Sequence, residues 1–276
     1  VLTVDGQIQL TRTTRFAIND PSFGDPSDQL RADPNGFAGK PAMRGLGRHY
    51  AVEVTAVGTP DPVTGYLIDI KEIDRAVRAA IVPRIAHACH AEPTRQPMTL
   101  LADLVRALAD AMPVRLASLT WFLTPWYAVT MHAHDTTTAV MRQRFDFAAA
   151  HRLHVASMSE EDNRKAFGKC NNPSGHGHNY QVEPEVLVPI NDGPPAFTLH
   201  DLERLVEATI IERFDHTNLN VDPPDFTASG VNPSVEHIAR VCYDLLAKAI
   251  EGERSGARLA RVTVWETDRT RCTYPA

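Results

Sequence analysis

Lys169–Tyr180 reads KCNNPSGHGHNY and runs on as Gln181-Val182. His176 and His178 flank a single glycine on a segment that reads as an extended strand. Their imidazoles therefore point to one face, and Gly177 keeps the far side clear. Two nitrogen donors on one face can hold one Zn²⁺, and a third ligand from elsewhere leaves a coordination position open for a substrate. Cys170 stands six positions before His176, which puts a thiol beside the same ion. A neighbouring cation increases the thiolate fraction at neutral pH, which makes such a thiol a base or a nucleophile.

The same frame occurs earlier in the chain. Lys40–Tyr50 reads KPAMRGLGRHY and also ends in G-x-G-x-x-Y, with Gly45 and Gly175 130 residues apart. Arg15-Phe16-Ala17 parallels Arg144-Phe145-Asp146, and IVPRIAHA at Ile81–Ala88 parallels IIERFDHT at Ile210–Thr217. QPMTLLADLVRAL at Gln96–Leu108 parallels NPSVEHIARVCYDLL at Asn232–Leu246, and LASLTWFLT at Leu116–Thr124 parallels LARVTVWET at Leu259–Thr267. The preserved order implies two copies of one fold. They are expected to join near Met131–Val140, where His132, His134 and Thr136-Thr137-Thr138 read as a linker.

Each copy predicts the same elements. A first strand covers about Gln7–Ile18 and Met141–Ala150, and a second about His49–Val57 and Asn179–Val188. Turn chemistry follows in Thr59-Pro60-Asp61-Pro62 with Thr64-Gly65, and in Asn191-Asp192-Gly193-Pro194-Pro195. Amphipathic helices are expected over Ile70–Ile85 and Met98–Ala111, then over Leu199–Arg213 and Ser234–Ile250. Two closing strands end each copy. The class is α+β, with antiparallel sheets and helices on one face. Pro184, inside a strand, predicts an edge or a bulge.

His151, at the end of the first strand of copy two, is the expected third metal ligand. Asp215-His216 can act as a carboxylate that orients an imidazole, and the imidazole can tune the Cys170 thiol. Strand alternation puts Glu266 on one face with Val262 and Val264, where a carboxylate is costly without a partner. It reads as an anchor for a ligand with adjacent N–H donors. Glu236 is a second anchor candidate, although an acidic residue in a first helical turn also favours the helix dipole. Copy one serves as an internal control. Gly45-Leu46-Gly47-Arg48 replaces Gly175-His176-Gly177-His178, Ser22 stands near the place of His151, and Ala86-His87 replaces Asp215-His216. Leu100 and Leu123 stand for Glu236 and Glu266. The polar inward groups are lost together while the apolar frame survives. Copy one therefore reads as scaffold and copy two as the working half.

Composition sets the outer bounds. The chain of 276 residues carries a net charge of −6 without a long basic run, which disfavours nucleic acid. No stretch reaches the apolar length of a membrane span, and no secretory signal is visible, so a cytoplasmic protein is expected. Cys89, Cys170, Cys242 and Cys272 read as free thiols rather than a disulfide framework, with Cys242 in a helical core.

Copy two resembles the 6-pyruvoyl-tetrahydropterin synthases and their bacterial relatives, the 6-carboxy-tetrahydropterin synthases of queuosine-precursor synthesis. The resemblance rests on AAAHRL at Ala148–Leu153, FGKCNNPSGHGHNY at Phe167–Tyr180, FDHTNLN at Phe214–Asn220, NPSVEHIA at Asn232–Ala239 and WETD at Trp265–Asp268. It implies two tandem tunnelling-fold units over 1–134 and 139–276, each a four-stranded antiparallel sheet with two helices on one face (ββααββ). It also implies Zn²⁺ on His151, His176 and His178, a Cys170–Asp215–His216 triad, and Glu236 and Glu266 on the pterin ring. The implied reaction is triphosphate elimination with internal redox on 7,8-dihydroneopterin triphosphate, with Arg152, Lys165 and Lys169 as candidates for the triphosphate. Five residues between Cys170 and His176 resemble the pyruvoyl-forming enzymes more than the carboxy-forming ones. The resemblance further implies a homo-oligomer that completes its triad across subunits, copy two against copy two. A non-catalytic pterin-binding protein is the alternative of another class. A zinc hydrolase fits less well, because no glutamate stands in a helical zinc-binding pattern.

Overall fold

The computed structural model describes residues 6–23, 42–191 and 193–276. Lys40 and Pro41 of the first glycine motif, and Asp192 of the second turn, lie outside the described residues. The fold is mixed α+β. Backbone packing divides the chain into two compact units, Val1–Met141 with Pro189–Pro195, and Arg142–Val188 with Ala196–Ala276.

In the first unit, β1 (Ile8–Ile18), β2 (Arg48–Gly58), β3 (Arg115–Phe122) and β4 (Tyr127–His132) form an antiparallel sheet in that order. Between β2 and β3 come α1 (Ile70–Ala76), a π-helical turn (Val77–Ile81), α2 (Val82–Ala91) and α3 (Pro97–Ala111). Alternate β2 residues Val52, Val54 and Ala56 are buried, as are Leu101, Leu104, Val105 and Leu108 of α3. This is the period of two meeting the period of 3.6 across one core. The first helix is expected to end at Ile85. The run instead passes through the π turn and continues to Ala91. Pro83 falls at the start of α2, where its missing N–H costs little.

The segment Met131–Val140 is not a linker. It holds the end of β4, a tight turn and most of β5 (Asp135–Gln143), with Ala139 and Met141 fully buried. Thr136-Thr137-Thr138 are β-branched and suit a strand. The strand expected over Met141–Ala150 is likewise two strands, β5 ending at Gln143 and β6 running Phe145–His151.

In the second unit, β7 (His176–Pro189) pairs antiparallel with β6 and with β9 (Arg258–Thr267). β9 pairs with β10 (Thr270–Tyr274), and the short β8 (Thr217–Asn218) runs parallel to β6. A register irregularity lies between Glu185 and Val186, one residue beyond Pro184. Sequence reasoning missed α4 (Glu160–Phe167). Its signal was present: Ser159 caps it by accepting from Asp162 N, three acidic residues fill the first turn, and Arg164 and Lys165 close it. A 3₁₀ turn, Gly168–Asn171, carries Cys170. After β7 come α5 (Leu199–Val206), a π turn (Glu207–Ile211), α6 (Glu212–Phe214), α7 (Pro224–Thr227) and α8 (Val235–Gly252). Helix α8 packs on β9 and β10. Its buried stripe is Val235, Ile238, Ala239, Cys242, Leu246 and Ile250, and burial pushes the Cys242 thiol up to about 12.

Candidate metal and catalytic site

The two hairpins share a register that locates the site. Phe16 pairs with Tyr50 in the first unit as Phe147 pairs with Tyr180 in the second. Four residues on from Phe147 is His151, paired with His176. Four residues on from Phe16 is Asp20, so Asp20 rather than Ser22 occupies the place of His151. The Asp20 carboxylate is engaged by the Ser22 backbone N–H and hydroxyl.

His151, His176 and His178 come together as a group able to hold a metal ion, with one ligand atom from each within 4.8 Å of the others. His151 is fully buried. Its Nδ1 lies 2.7 Å from the Pro233 carbonyl, which can only accept. Nδ1 therefore carries the proton, and Nε2 presents a bare lone pair. That lone pair faces His176 Nε2 at 3.1 Å. His176 Nδ1 and His178 Nε2 are buried with no hydrogen-bond partner. Buried orphan nitrogens are costly, and a cation at the facing Nε2 atoms of His151 and His176 would give His178 Nε2 a partner, though not His176 Nδ1 on the other side of its ring. Burial lowers the pKa of His151, with His176 lowering it further against the Pro233 bond. Burial also lowers that of His178. Both rings are thus held neutral, the form that ligates. The donor set suits a borderline divalent ion such as Zn²⁺.

The glycines do different jobs from those the sequence suggests. Gly175 has φ +69°, and a Cβ there would meet the His151 carbonyl oxygen at 3.0 Å. Gly177 lies in extended strand, and its Cβ would make an ordinary contact 3.7 Å from Ala149 O. The constrained position is Gly175.

Glu266 lies on the face with Val262 and Val264, but its carboxylate sits among the imidazoles, 3.5 Å from His151 Nε2 and 3.7 Å from His178 Nε2. Glu236 is exposed in the first turn of α8, where a hydrogen bond from Ser234 lowers its carboxyl pKa. Asp215 Oδ1 accepts from Ala148 N at 2.7 Å, and Oδ2 pairs with His216 Nδ1 at 2.7 Å. Those bonds, Ala148 first, hold the Asp215 carboxyl below its ordinary range. His216 adopts φ 57° and donates its own N–H to Ala148 O. Its side chain is 83 % exposed, so the ring projects outward from β6. His178 and His216 line one groove beside β6.

Tyr180, Asn171 and Asn220 carry no signal as supporting residues in the sequence, and Arg152, a triphosphate candidate there, has a structural role as well. Tyr180 follows His176 and His178 at period two, and its fully buried hydroxyl stands 3.4 Å from His151 Nδ1. Burial, with Glu266 and Cys170 nearby, raises the Tyr180 phenol. The Cys170 carbonyl accepts from Leu153 N at 2.9 Å. Arg152 Nε donates to both the carbonyl and Oδ1 of Asn171, each at 3.1 Å. Arg152 and Asn220 exchange two further bonds. The two residues after the buried histidine therefore clamp the thiol's turn. This engages one edge of the Arg152 guanidinium, while Lys165 and Lys169 are exposed.

A mixed α+β fold carrying three converging imidazoles, with a thiol-bearing turn clamped to the ligand strand, defines a metal-capable site. Residues 140–276 match the family profile of 6-pyruvoyl tetrahydropterin synthase. The 6-pyruvoyl tetrahydrobiopterin synthase of Homo sapiens is 38% identical over 137 residues, 49% of this chain and 90% of that protein. That of Poecilia reticulata is 37% identical over 129 residues, 46% of this chain and 84% of that protein. The Caenorhabditis elegans 6-pyruvoyl tetrahydropterin synthase structure aligns with a TM-score of 0.44 at 29% identity, covering 50% of this chain and 94% of that one. The chain belongs to the 6-pyruvoyl tetrahydropterin synthase family, a family of pterin-processing lyases. No helix among the described residues is long and apolar enough to cross a membrane.

Proposed function

We propose that the second unit is a zinc-dependent 6-pyruvoyl-tetrahydropterin synthase acting on 7,8-dihydroneopterin triphosphate, and that the first is a tandem tunnelling-fold copy without its own chemistry. The observation that carries this reading is the convergence of His151, His176 and His178 on the strand pair that also fixes the Cys170 turn. Among the described residues, no other such group is found.

When bound, Zn²⁺ would polarise the side-chain hydroxyls of the substrate and acidify the adjoining C–H bonds. Cys170 takes a proton from a side-chain carbon as thiolate, and the electron pair left behind expels triphosphate. His216, with Nδ1 fixed by Asp215, returns protons through Nε2. One side-chain carbinol is oxidised to a carbonyl as the dihydropterin ring gains two hydrogens, and the second carbonyl arises when the enol left by triphosphate loss tautomerises, its terminal carbon becoming a methyl group, so no external redox cofactor is consumed. Glu266 accepts N–H donors of the pterin ring, and Glu236 supports it from α8. Zinc analysis of the purified chain, with product identification from dihydroneopterin triphosphate, tests the proposal. One bound zinc and a 6-pyruvoyl product are expected. A 6-carboxy product would move the chain to the queuosine-precursor branch, and no turnover by the metal-loaded protein would refute an enzymatic role.

A further inference from the structure

The first unit contains a cavity of about 560 Å³ between its sheet and its helices. Its floor comes from Arg48 and Tyr50 of β2, Trp121 of β3 and Leu123, and its roof from the segment Ala88–Leu100. The shared hairpin register aligns Tyr50 with Tyr180, so Arg48 takes the place of His178. Val52 pairs with Trp121 as Val182 pairs with Val264, so Leu123 takes the place of Glu266. A metal-ligating imidazole has become a guanidinium, and a carboxylate has become an alkyl group. The cavity persists with its polarity reversed.

Three observations say what it would accept. Arg48 is the cation with capacity to spare. Its Nη1 donates to the Cys89 carbonyl at 3.2 Å, which holds the head at the cavity. Arg95, by contrast, is spent on Glu92, Asp103 and the Thr99 carbonyl, and so neutralises the acidic group of the lining. Second, Trp121 is 4% exposed, and its indole Nε1–H is buried with no acceptor. The indole therefore offers a ligand its ring surface, the N–H being sealed from the cavity. Third, α3 begins at the cavity with Gln96 as N-cap and no side chain capping it, an end that favours negative charge. Tyr50 and Trp121 meet edge to face, with centroids 5.4 Å apart, and Leu100 and Leu123 complete an apolar wall suited to a flat ring.

We propose that this cavity binds a small organic anion, a flat ring bearing a carboxylate, with the charge on Arg48 and the ring against the Tyr50–Trp121 pair. The site is independent of the pterin chemistry assigned to the second unit. Its test uses the full chain with ¹⁵N-labelled indoles, benzoate as probe and the neutral isostere benzamide as control. Benzoate is expected to shift the Trp121 Nε1–H resonance saturably, to leave those of Trp126 and Trp265 in place, and to slow alkylation of Cys89. R48Q should weaken binding about tenfold or more, since charge-assisted hydrogen bonds are lost, and R48K, which keeps the charge without the fork, should fall between. Benzamide should bind wild type about as weakly as benzoate binds R48Q. The proposal is overturned if Trp121 ignores benzoate, if R48Q responds like wild type, or if benzamide binds as well as benzoate.

Discussion

At the scale of single residues, the site depends on which nitrogen of each imidazole is free. The Pro233 carbonyl settles this for His151, and the sequence alone could not have revealed it. H178A removes one of the three proposed ligands. Its metal affinity should drop by more than the roughly 10–100-fold that loss of an outer partner costs, while the fold survives, as equilibrium dialysis and circular dichroism would record. The lowered pKa values of His151 and His178 set a pH dependence for the metal. Protons displace a ligated ion only by protonating the imidazoles. With both values pushed below the ordinary 6.5, these two rings stay deprotonated to lower pH than free imidazoles, so their share of the affinity is lost only below 6.5. Metal release centred at or above that pH would contradict the burial argument. The glycines give a sharper contrast. G175A forces a side chain into the left-handed region, at a cost of about 1–2 kcal/mol, and presses on the His151 carbonyl. G177A meets only an ordinary contact. Urea midpoints and zinc content should fall for the first variant and change little for the second, although the motif suggests that the glycine between the histidines is the critical one.

At the scale of elements, strands and helices were legible wherever hydrophobic period and turn chemistry agreed. The sequence pattern predicts α3 from Met98 and it begins at Pro97; it predicts α8 over Ser234–Ile250 and the helix spans Val235–Gly252. Legibility failed where a tertiary neighbour decides. The threonines at 136–138 read as a linker by composition, yet they pair into β5 because Ala139 and Met141 find burial. The π turns at Val77–Ile81 and Glu207–Ile211 add a residue to the backbone loop, and no periodicity reports that. Between β6 and β7 the motif reports chemistry and not the segment's internal support. Asn163 is fully buried, and its side chain serves Val155 N and the carbonyls of Val155, Met158 and Ser159. N163A should cost about 2 kcal/mol through unsatisfied backbone groups, measurable by chemical denaturation. R152A frees the Asn171 end of the thiol turn. It should keep its metal yet lose roughly tenfold or more in kcat, because small misplacements of a reacting group are expensive. Parallel loss of metal and turnover would instead make Arg152 a support of the ligand strand.

At the scale of the whole molecule, the distribution of the triad bears on assembly. Asp215 is tied to β6 through Ala148, and this fixes where His216 stands. The His216 ring, 83 % exposed, turns outward in a left-handed backbone conformation. Such a conformation is uncommon outside glycine and is retained where surroundings over-determine it. A general acid–base group left in water has no fixed substrate to serve, so an outward Asp–His pair gains its purpose from a surface brought to it. We propose that a second copy of the chain brings that surface, its own Cys170 meeting His216 of the first. In the first unit Ala86 replaces Asp215, and the carboxylate beside His87 is Glu92, 3.5 Å from Nε2 rather than on Nδ1, so the proposed arrangement sets second unit against second unit. Complementation tests it directly. C170A chains and D215A/H216A chains should each be inactive alone. Mixed after dissociation and reassociation, they should regain up to roughly a quarter of wild-type activity in a statistical dimer interface, because one of the two shared sites in each hetero-pair is whole. The recovered activity should follow the fraction of hetero-pairs measured by native mass spectrometry. Mixed oligomers that form fully and stay inactive would place the whole triad within one chain and leave the outward pose of His216 to be explained by motion of its own turn.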